Sequence, residues 1–356
     1  MDEHGGNISL AMKKYGLTQG KLIDFSASIN PLGIPDSIKK AIKKALNYAH
    51  VYPDPDYTQL KRSLAKFYNV NSEVILPDNG SVSLIYLIPQ ALGIKKPLIP
   101  LPTFSEYEKA TLLHKARPLF IPPKHDFIFD TNDIIKFLKG RDSFYLCNPN
   151  NPTGLSMAKE EILKIIQKAR DMGIIVILDE VFIEFTDKPD RNSLIAESSK
   201  FKNLIILRSL TKYFALAGLR LGLAIAGRDI ISRLKKYQPP WPVNNLSAQA
   251  AMAFLKEDRY IKYSHTFMQE EREFLFSSLS NLNPLRVWKP SANFIFCKIK
   301  DKNINSSKLR VRLARRGILI RDCRNFRGLN NTFFRVAVRT RPENEKLIRE
   351  LRSLGS

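Results

Sequence analysis

The chain has 356 residues, 44% hydrophobic and 26% charged, which allows a large core and, by length, two domains. Its apolar runs, such as GIIVIL (173–178) and NLIIL (203–207), are too short to cross a bilayer, and MDEHGGN has no basic stretch leading into an apolar one. The 57 Lys and Arg outnumber the 34 Asp and Glu by 23, but they are dispersed as pairs and one denser run, RLARR (312–316), with no nucleic-acid-binding motif beside them.

That excess is read mainly as solvated helix faces, so neither a nucleic-acid nor a membrane partner is expected, and the expected compartment is the cytoplasm. Cys147, Cys297 and Cys323 are odd in number and far apart, which argues against a disulfide framework and a zinc site.

Taken in order, the first punctuation with chemical meaning is DNGSVS (78–83), a glycine-containing turn opening a helix, whose backbone N–H groups suit a phosphate. PLIPL (97–101), RPLFIP (117–122), SFYLCN (143–148), IIVILDE (174–180) and NLIILRS (203–209) then read as buried strands. SMAKEEILKIIQKARDMG (156–173) reads as an amphipathic helix with a glycine stop. Alternation of this kind predicts an α/β fold, a mostly parallel sheet with helices on both faces and ligands at the carboxyl ends of its strands. After residue 245 the texture changes. One long helix is expected over 246–282, strands over 287–300 and 332–340, and helices over 307–316 and 342–354. The expected division is a large domain, 48–245, and a smaller α+β domain made of 1–47 and 246–356, with an N-terminal arm.

Asp179 closes an apolar run, where a carboxylate is costly unless it meets a cation or several donors. Alone it reads better as a helix N-cap or half of a buried ion pair than as a catalytic group. Lys212 stands beyond the next strand in SLTKYFALAGLRLG (209–222), among small and apolar residues. A lysine in such surroundings loses basicity and becomes a nucleophilic amine. A lysine that condenses with an aldehyde, plus an Asp facing a cationic ring nitrogen, is what a protein contributes to pyridoxal 5′-phosphate chemistry. Ser209 and Arg220 would complete a phosphate cradle with the 78–83 turn.

These segments resemble the class I/II aminotransferases, the fold-type I pyridoxal-phosphate enzymes. SLTKYFALAGLRLG is similar to their lysine signature, NPNNPTG (148–154) to their ring-hydroxyl loop and DEVFIEF (179–185) to their pyridinium-binding strand end. Order and spacing agree, with Asn151, Asp179 after 28 residues, Lys212 after 33 and Arg220 after 8. The resemblance implies that Lys212 bonds the cofactor aldehyde and that Asp179 holds the ring nitrogen protonated, the two catalytic residues. It gives Asn151 to the ring hydroxyl and Gly80, Ser81, Val82, Ser209 and Arg220 to the phosphate. Phe104 in PTFSEY (102–107) would stack on the ring, with Tyr107 the other candidate. Tyr52 in YPDPDY (52–57) would reach the cofactor of a neighbouring subunit, implying a homodimer with shared active sites.

Two branches of that class come nearest, histidinol-phosphate aminotransferase and the threonine-phosphate decarboxylase of cobalamin synthesis. HGGN (4–7), DFSASINPLG (24–33), Phe182, PWPVNNLSAQAA (240–251) and ILIRDCRNFRGL (318–329) followed by FFRVAVRT (333–340) resemble the decarboxylase. The expected substrate is therefore a small phosphorylated amino acid, phosphothreonine or phosphoserine, contacted by His4, Gly5, Ser28, Asn151, Arg321 and Arg335. Ser28 stands where that branch has an Asn, which alters the pocket beside the substrate. No metal is expected.

Overall fold

The computed structural model describes residues 5–123 and 125–352. Among these the strands are β1 (Ile23–Asp24), β2 (Ile75–Asp78), β3 (Pro97–Pro100), β4 (Leu119–Ile121), β5 (Ser143–Cys147), β6 (Ile175–Asp179), β7 (Leu204–Ser209), β8 (Gly222–Ala226), β9 (Leu285–Trp288), β10 (Phe294–Ile299), β11 (Ile318–Leu319), β12 (Arg321–Asp322) and β13 (Phe333–Ala337). The main sheet has the order β2-β8-β7-β6-β5-β3-β4. Only β8 runs against the others, antiparallel to both β2 and β7.

The five strands expected in the middle of the chain are β3 to β7. For β3, β5, β6 and β7, burial on both faces explains why they read as continuous apolar runs rather than as an alternation, while β4, at the sheet edge, is partly exposed. The two strands of the main sheet that sequence pattern did not suggest, β2 and β8, are the short ILPD and GLAIA, one interrupted by a proline and the other built largely from small residues. The expected helix at 156–173 covers Lys159–Asp171. Ile162, Ile165, Ile166 and Ala169 are buried at helical spacing, and Gly173, at φ 69°, ends the element.

Two expectations are corrected. The stretch 246–282 is two helices, Asn245–Phe254 and Asp258–Ser280, because Glu257 leaves helical geometry at φ −90° and ψ 56° while apolar spacing runs on across it. The stretch 287–300 is not one strand but the end of β9, a turn, and β10, which fold back on each other antiparallel. With β12 and β13 they form a second sheet, β12-β13-β10-β9, antiparallel throughout. The N-terminal region meets the C-terminal one where β1 pairs parallel with β11.

Alternation along β6 and β7 assigns the two faces of the main sheet. Val176, Leu178, Leu204 and Ile206 join one core cluster, and Ile177, Ile205 and Leu207 join another under the helices Ser81–Leu92 and Arg228–Tyr237. On this second side β8 meets the start of Ser81–Leu92 backbone to backbone. A Cβ on Gly222 would lie 2.2 Å from the Ser81 amide nitrogen. Gly222→Ala must therefore push the helix start away, at a cost of about 1–3 kcal/mol. Denaturant unfolding is expected to show that loss, together with weaker retention of any phosphate held by the helix terminus. Wild-type stability in the variant would refute the tight contact.

Candidate active site

The carboxyl ends of β5, β6 and β7 open into a cavity of about 390 Å³. Its walls carry Gly5, Ser28, Ser81, Val82, Phe104, Asn151, Asp179, Ser209, Lys212, Arg220, Arg321 and Arg335, which lie far apart in sequence and were all anticipated. Gly80 stands just behind as the N-cap of Ser81–Leu92, at φ 80°, with no side-chain cap. A Cβ there would lie 2.5 Å from Arg220 Nη2, so the absence of a side chain lets the guanidinium approach the helix terminus. Tyr52 lies outside this cavity. It is 74% exposed and stacks on Trp241 with ring centroids 4.4 Å apart. His4 lies outside the described residues.

Asp179 is 4% exposed. The Tyr107 hydroxyl donates to its Oδ2 at 2.6 Å and the Val181 N–H to its Oδ1 at 3.0 Å. Burial raises its pKa to about 6 against the pull of those two donors. Tyr107 is thus engaged as the anchor of Asp179, and the half-buried Phe104, in edge contact with the Tyr107 ring at 5.7 Å, is the remaining candidate for ring stacking. Lys212 sits in the turn after β7 and makes no ion pair among the described residues. Burial, then repulsion from Arg335 and Arg220, lowers its pKa to about 8.

The second sheet supplies two arginines side by side. Arg321 on β12 and Arg335 on β13 are cross-strand partners, 5% and 7% exposed. Arg335 donates to Asn151 Oδ1 and to the Ser26 carbonyl, lies over the Phe294 ring at 4.6 Å, and leaves its Nε without a partner. Among the described residues it meets no carboxylate, and burial, with the Arg321 charge adding to it, lowers its pKa to about 10. Arg321 donates to Asn325 Oδ1 at 2.9 Å and lies over the Phe326 ring. Ser28, 3% exposed, has a hydroxyl with no hydrogen-bond partner. Gly5 closes one wall, where a Cβ would lie 2.1 Å from the Ser26 carbonyl oxygen.

Sequence reasoning did not find Ser26, Thr211, Cys147, Glu106 and Phe326, which also line the cavity, nor the Tyr107 link to Asp179. No pattern marks these residues, because each acts through a contact made by folding. Thr211, whose hydroxyl lies 2.6 Å from that of Ser209, is the exception a reader could suspect from its place between Ser209 and Lys212.

The arrangement defines a class. The family model for aminotransferase class I and II matches residues 20–351, and the chain belongs to that family. A relative from Caldanaerobacter subterraneus subsp. tengcongensis, provisionally named threonine-phosphate decarboxylase, is 38% identical over 354 residues, covering 99% of this chain and 94% of its own. The threonine-phosphate decarboxylase of Salmonella typhimurium is 33% identical, over 99% of this chain and 96% of its own. The crystal structure of the histidinol-phosphate aminotransferase from Clostridium acetobutylicum superposes with a TM-score of 0.88 at 34% identity, over 94% of this chain and 99% of that one. The chain is an enzyme of this family, whose members depend on pyridoxal 5′-phosphate. Its donor set fits that group, with a buried carboxylate, a lysine of lowered basicity, and a helix terminus and Arg220 made adjacent by Gly80.

Two outcomes follow for the apoprotein. Lys212 binds its proton less tightly when folded, so stability rises with pH between about 8 and the unfolded value of 10.5. Asp179 binds its proton more tightly, so its contribution falls as pH rises from 3.8 to about 6. The rate of cofactor incorporation, followed by absorbance, should climb through about pH 8 as the Lys212 amine is uncovered. A flat profile from pH 7 to 9 refutes this reading of Lys212. Tyr107→Phe removes a donor from a buried carboxylate and should weaken cofactor binding by roughly tenfold, measured by equilibrium titration.

Proposed function

We propose that this enzyme decarboxylates O-phospho-L-threonine, O-phospho-L-serine or both, giving CO₂ and aminopropanol phosphate or ethanolamine phosphate for the nucleotide loop of a cobamide. The observation that carries the reading is the buried pair Arg321 and Arg335 at the cavity wall, with Arg335 lacking a carboxylate partner. A buried guanidinium needs a counterion, and two planar forks side by side suit a dianionic phosphate. The relatives named threonine-phosphate decarboxylase support the same direction. Phe182 does too, since it packs edge-on against Phe294 and offers the cavity no hydroxyl.

In this reading Asp179 would hold a proton on the ring nitrogen, and Asn151 would donate to the ring hydroxyl. Ser81, Val82, Ser209 and Arg220 would bind the cofactor phosphate. Bound in this way, the cofactor supplies a conjugated electron sink for the pair left at Cα by the bond that stands perpendicular to its ring. Arg321 and Arg335 take the side-chain phosphate of the substrate, which leaves the carboxylate unclamped and able to depart as CO₂. Lys212, with a pKa of about 8, holds a proton near neutral pH and delivers it to Cα. Gly5 and Ser28 close the cavity near the substrate. We also propose that the chain works as a homodimer. The exposed Tyr52–Trp241 stack stands away from its own cavity, as a residue serving a neighbouring subunit would.

The second reading, a histidinol-phosphate-type aminotransferase, rests on the Arg335–Asn151 contact, which would serve a carboxylate clamp equally well, and on the similarity to a solved enzyme of that name. One reaction separates the two. With O-phosphothreonine or O-phosphoserine, pyridoxal 5′-phosphate and 2-oxoglutarate in one tube, CO₂ without glutamate is expected, and glutamate without CO₂ overturns the proposal. Arg321→Ala and Arg335→Ala should each weaken substrate binding by roughly tenfold or more, and unchanged affinity in both removes the phosphate grip.

A further inference from the structure

A second cavity, of about 940 Å³, lies on the other face of β6 and β7. Arg208 lines it while its neighbour Ser209 lines the active site, because successive strand residues point to opposite faces. Tyr213 lines it too, next to Lys212.

Its floor is short of positive charge. Arg208, 5% exposed, places Nη1 3.5 Å from Glu180 Oε2 and 3.4 Å from Glu184 Oε1, so one guanidinium serves two carboxylates. Glu180 is otherwise satisfied, accepting from the Ser193 hydroxyl at 2.7 Å and the Leu194 N–H at 2.8 Å. Glu184, 9% exposed and lining the cavity, accepts no hydrogen bond at either oxygen. The Arg208 Nε and the Tyr68 hydroxyl also stand without partners. Burial raises the pKa of both glutamates, and Arg208 opposes it.

The rest of the lining does not supply the missing charge. Lys262, exposed at the rim, makes no ion pair among the described residues, and His265 Nε2 is engaged with the Thr186 carbonyl at 2.9 Å. Asp190 and Asp258 add negative charge, in a chain whose net charge is +23. Phe67, Tyr68, Tyr213 and Phe214 present aromatic surface, which favours an organic cation over a hydrated metal ion.

We propose that this cavity binds a small organic ammonium ion, its charge against the Glu184 carboxylate and its alkyl groups against Phe67, Tyr68, Tyr213 and Phe214. An occupant there would touch Arg208 and Tyr213, the chain neighbours of Ser209 and Lys212.

The test uses the protein loaded with pyridoxal 5′-phosphate and the probe dimethylethanolammonium, a tertiary amine that cannot condense with an aldehyde. Calorimetry should show saturable binding that inorganic phosphate, a non-reacting anion for the Arg321 and Arg335 side of the active site, does not displace. The uncharged isostere 3-methylbutan-1-ol should bind at least tenfold more weakly. Glu184→Gln should weaken the probe at least tenfold, and Ala196→Trp, at the exposed rim, should block it. If Glu184→Gln does not fold, Ala196→Trp decides. No saturable binding to the wild type, equal binding of the alcohol, displacement by inorganic phosphate, or unchanged affinity in the folded variants overturns the proposal.

Discussion

The buried carboxylate of Asp179 is the constraint around which the site is organised. Removing it from water at the end of β6 carries a desolvation cost that only local donors and cations offset. The Tyr107 hydroxyl and the Val181 N–H supply the donors, which ties the helix Glu106–Leu113 to the strand end and fills the space behind it with an aromatic ring. Around this anion stand Lys212, Arg220, Arg335 and Arg321. Burial, with repulsion from Arg335 and Arg220 added to it, keeps the lysine amine within reach of neutral pH.

The two cavities form a contrast across one pair of strands. The front is short of negative charge and the back of positive charge, and the boundary is the side-chain alternation of β7. A sheet buried on both faces is expensive to make polar. Here the polar groups gather where the strands stop and leave the strand interiors to Val176, Ile177, Leu178, Ile205 and Ile206.

Much of this was legible in the sequence, for identifiable reasons. The strands β5, β6 and β7 end at or just before polar residues that an apolar run makes conspicuous, so Asp179, Asn151 and Ser209 could be singled out. Lys212 and Arg220 stand at fixed offsets within one unbroken segment. What escaped depends on contacts between segments. The partner of Asp179 comes from PTFSEY, 72 positions earlier, and nothing in that stretch tells a stacking ring from a hydroxyl donor. The break at Glu257 interrupts the backbone but not the apolar period. The back cavity was invisible because Glu184 belongs to DEVFIEF, where attention falls on Asp179, and its unmet oxygens are a property of its surroundings.

The reversed strand β8 has a consequence for how the chain tolerates change in length. Parallel neighbours need a long crossover, but antiparallel ones join through a short connection. The segment between β7 and β8 therefore leaves and re-enters the sheet at adjacent positions, with Ser209 paired to Gly222. Lys212 and Arg220 both ride on it, so one loop, fixed at both ends, sets the distance between the amine and the phosphate-side guanidinium. An inserted residue there would change that distance directly. The same insertion before β4, an edge strand remote from the cavity, would be absorbed at the surface. Natural length variation in such a chain should accordingly spare 210–221 and collect at the sheet edge.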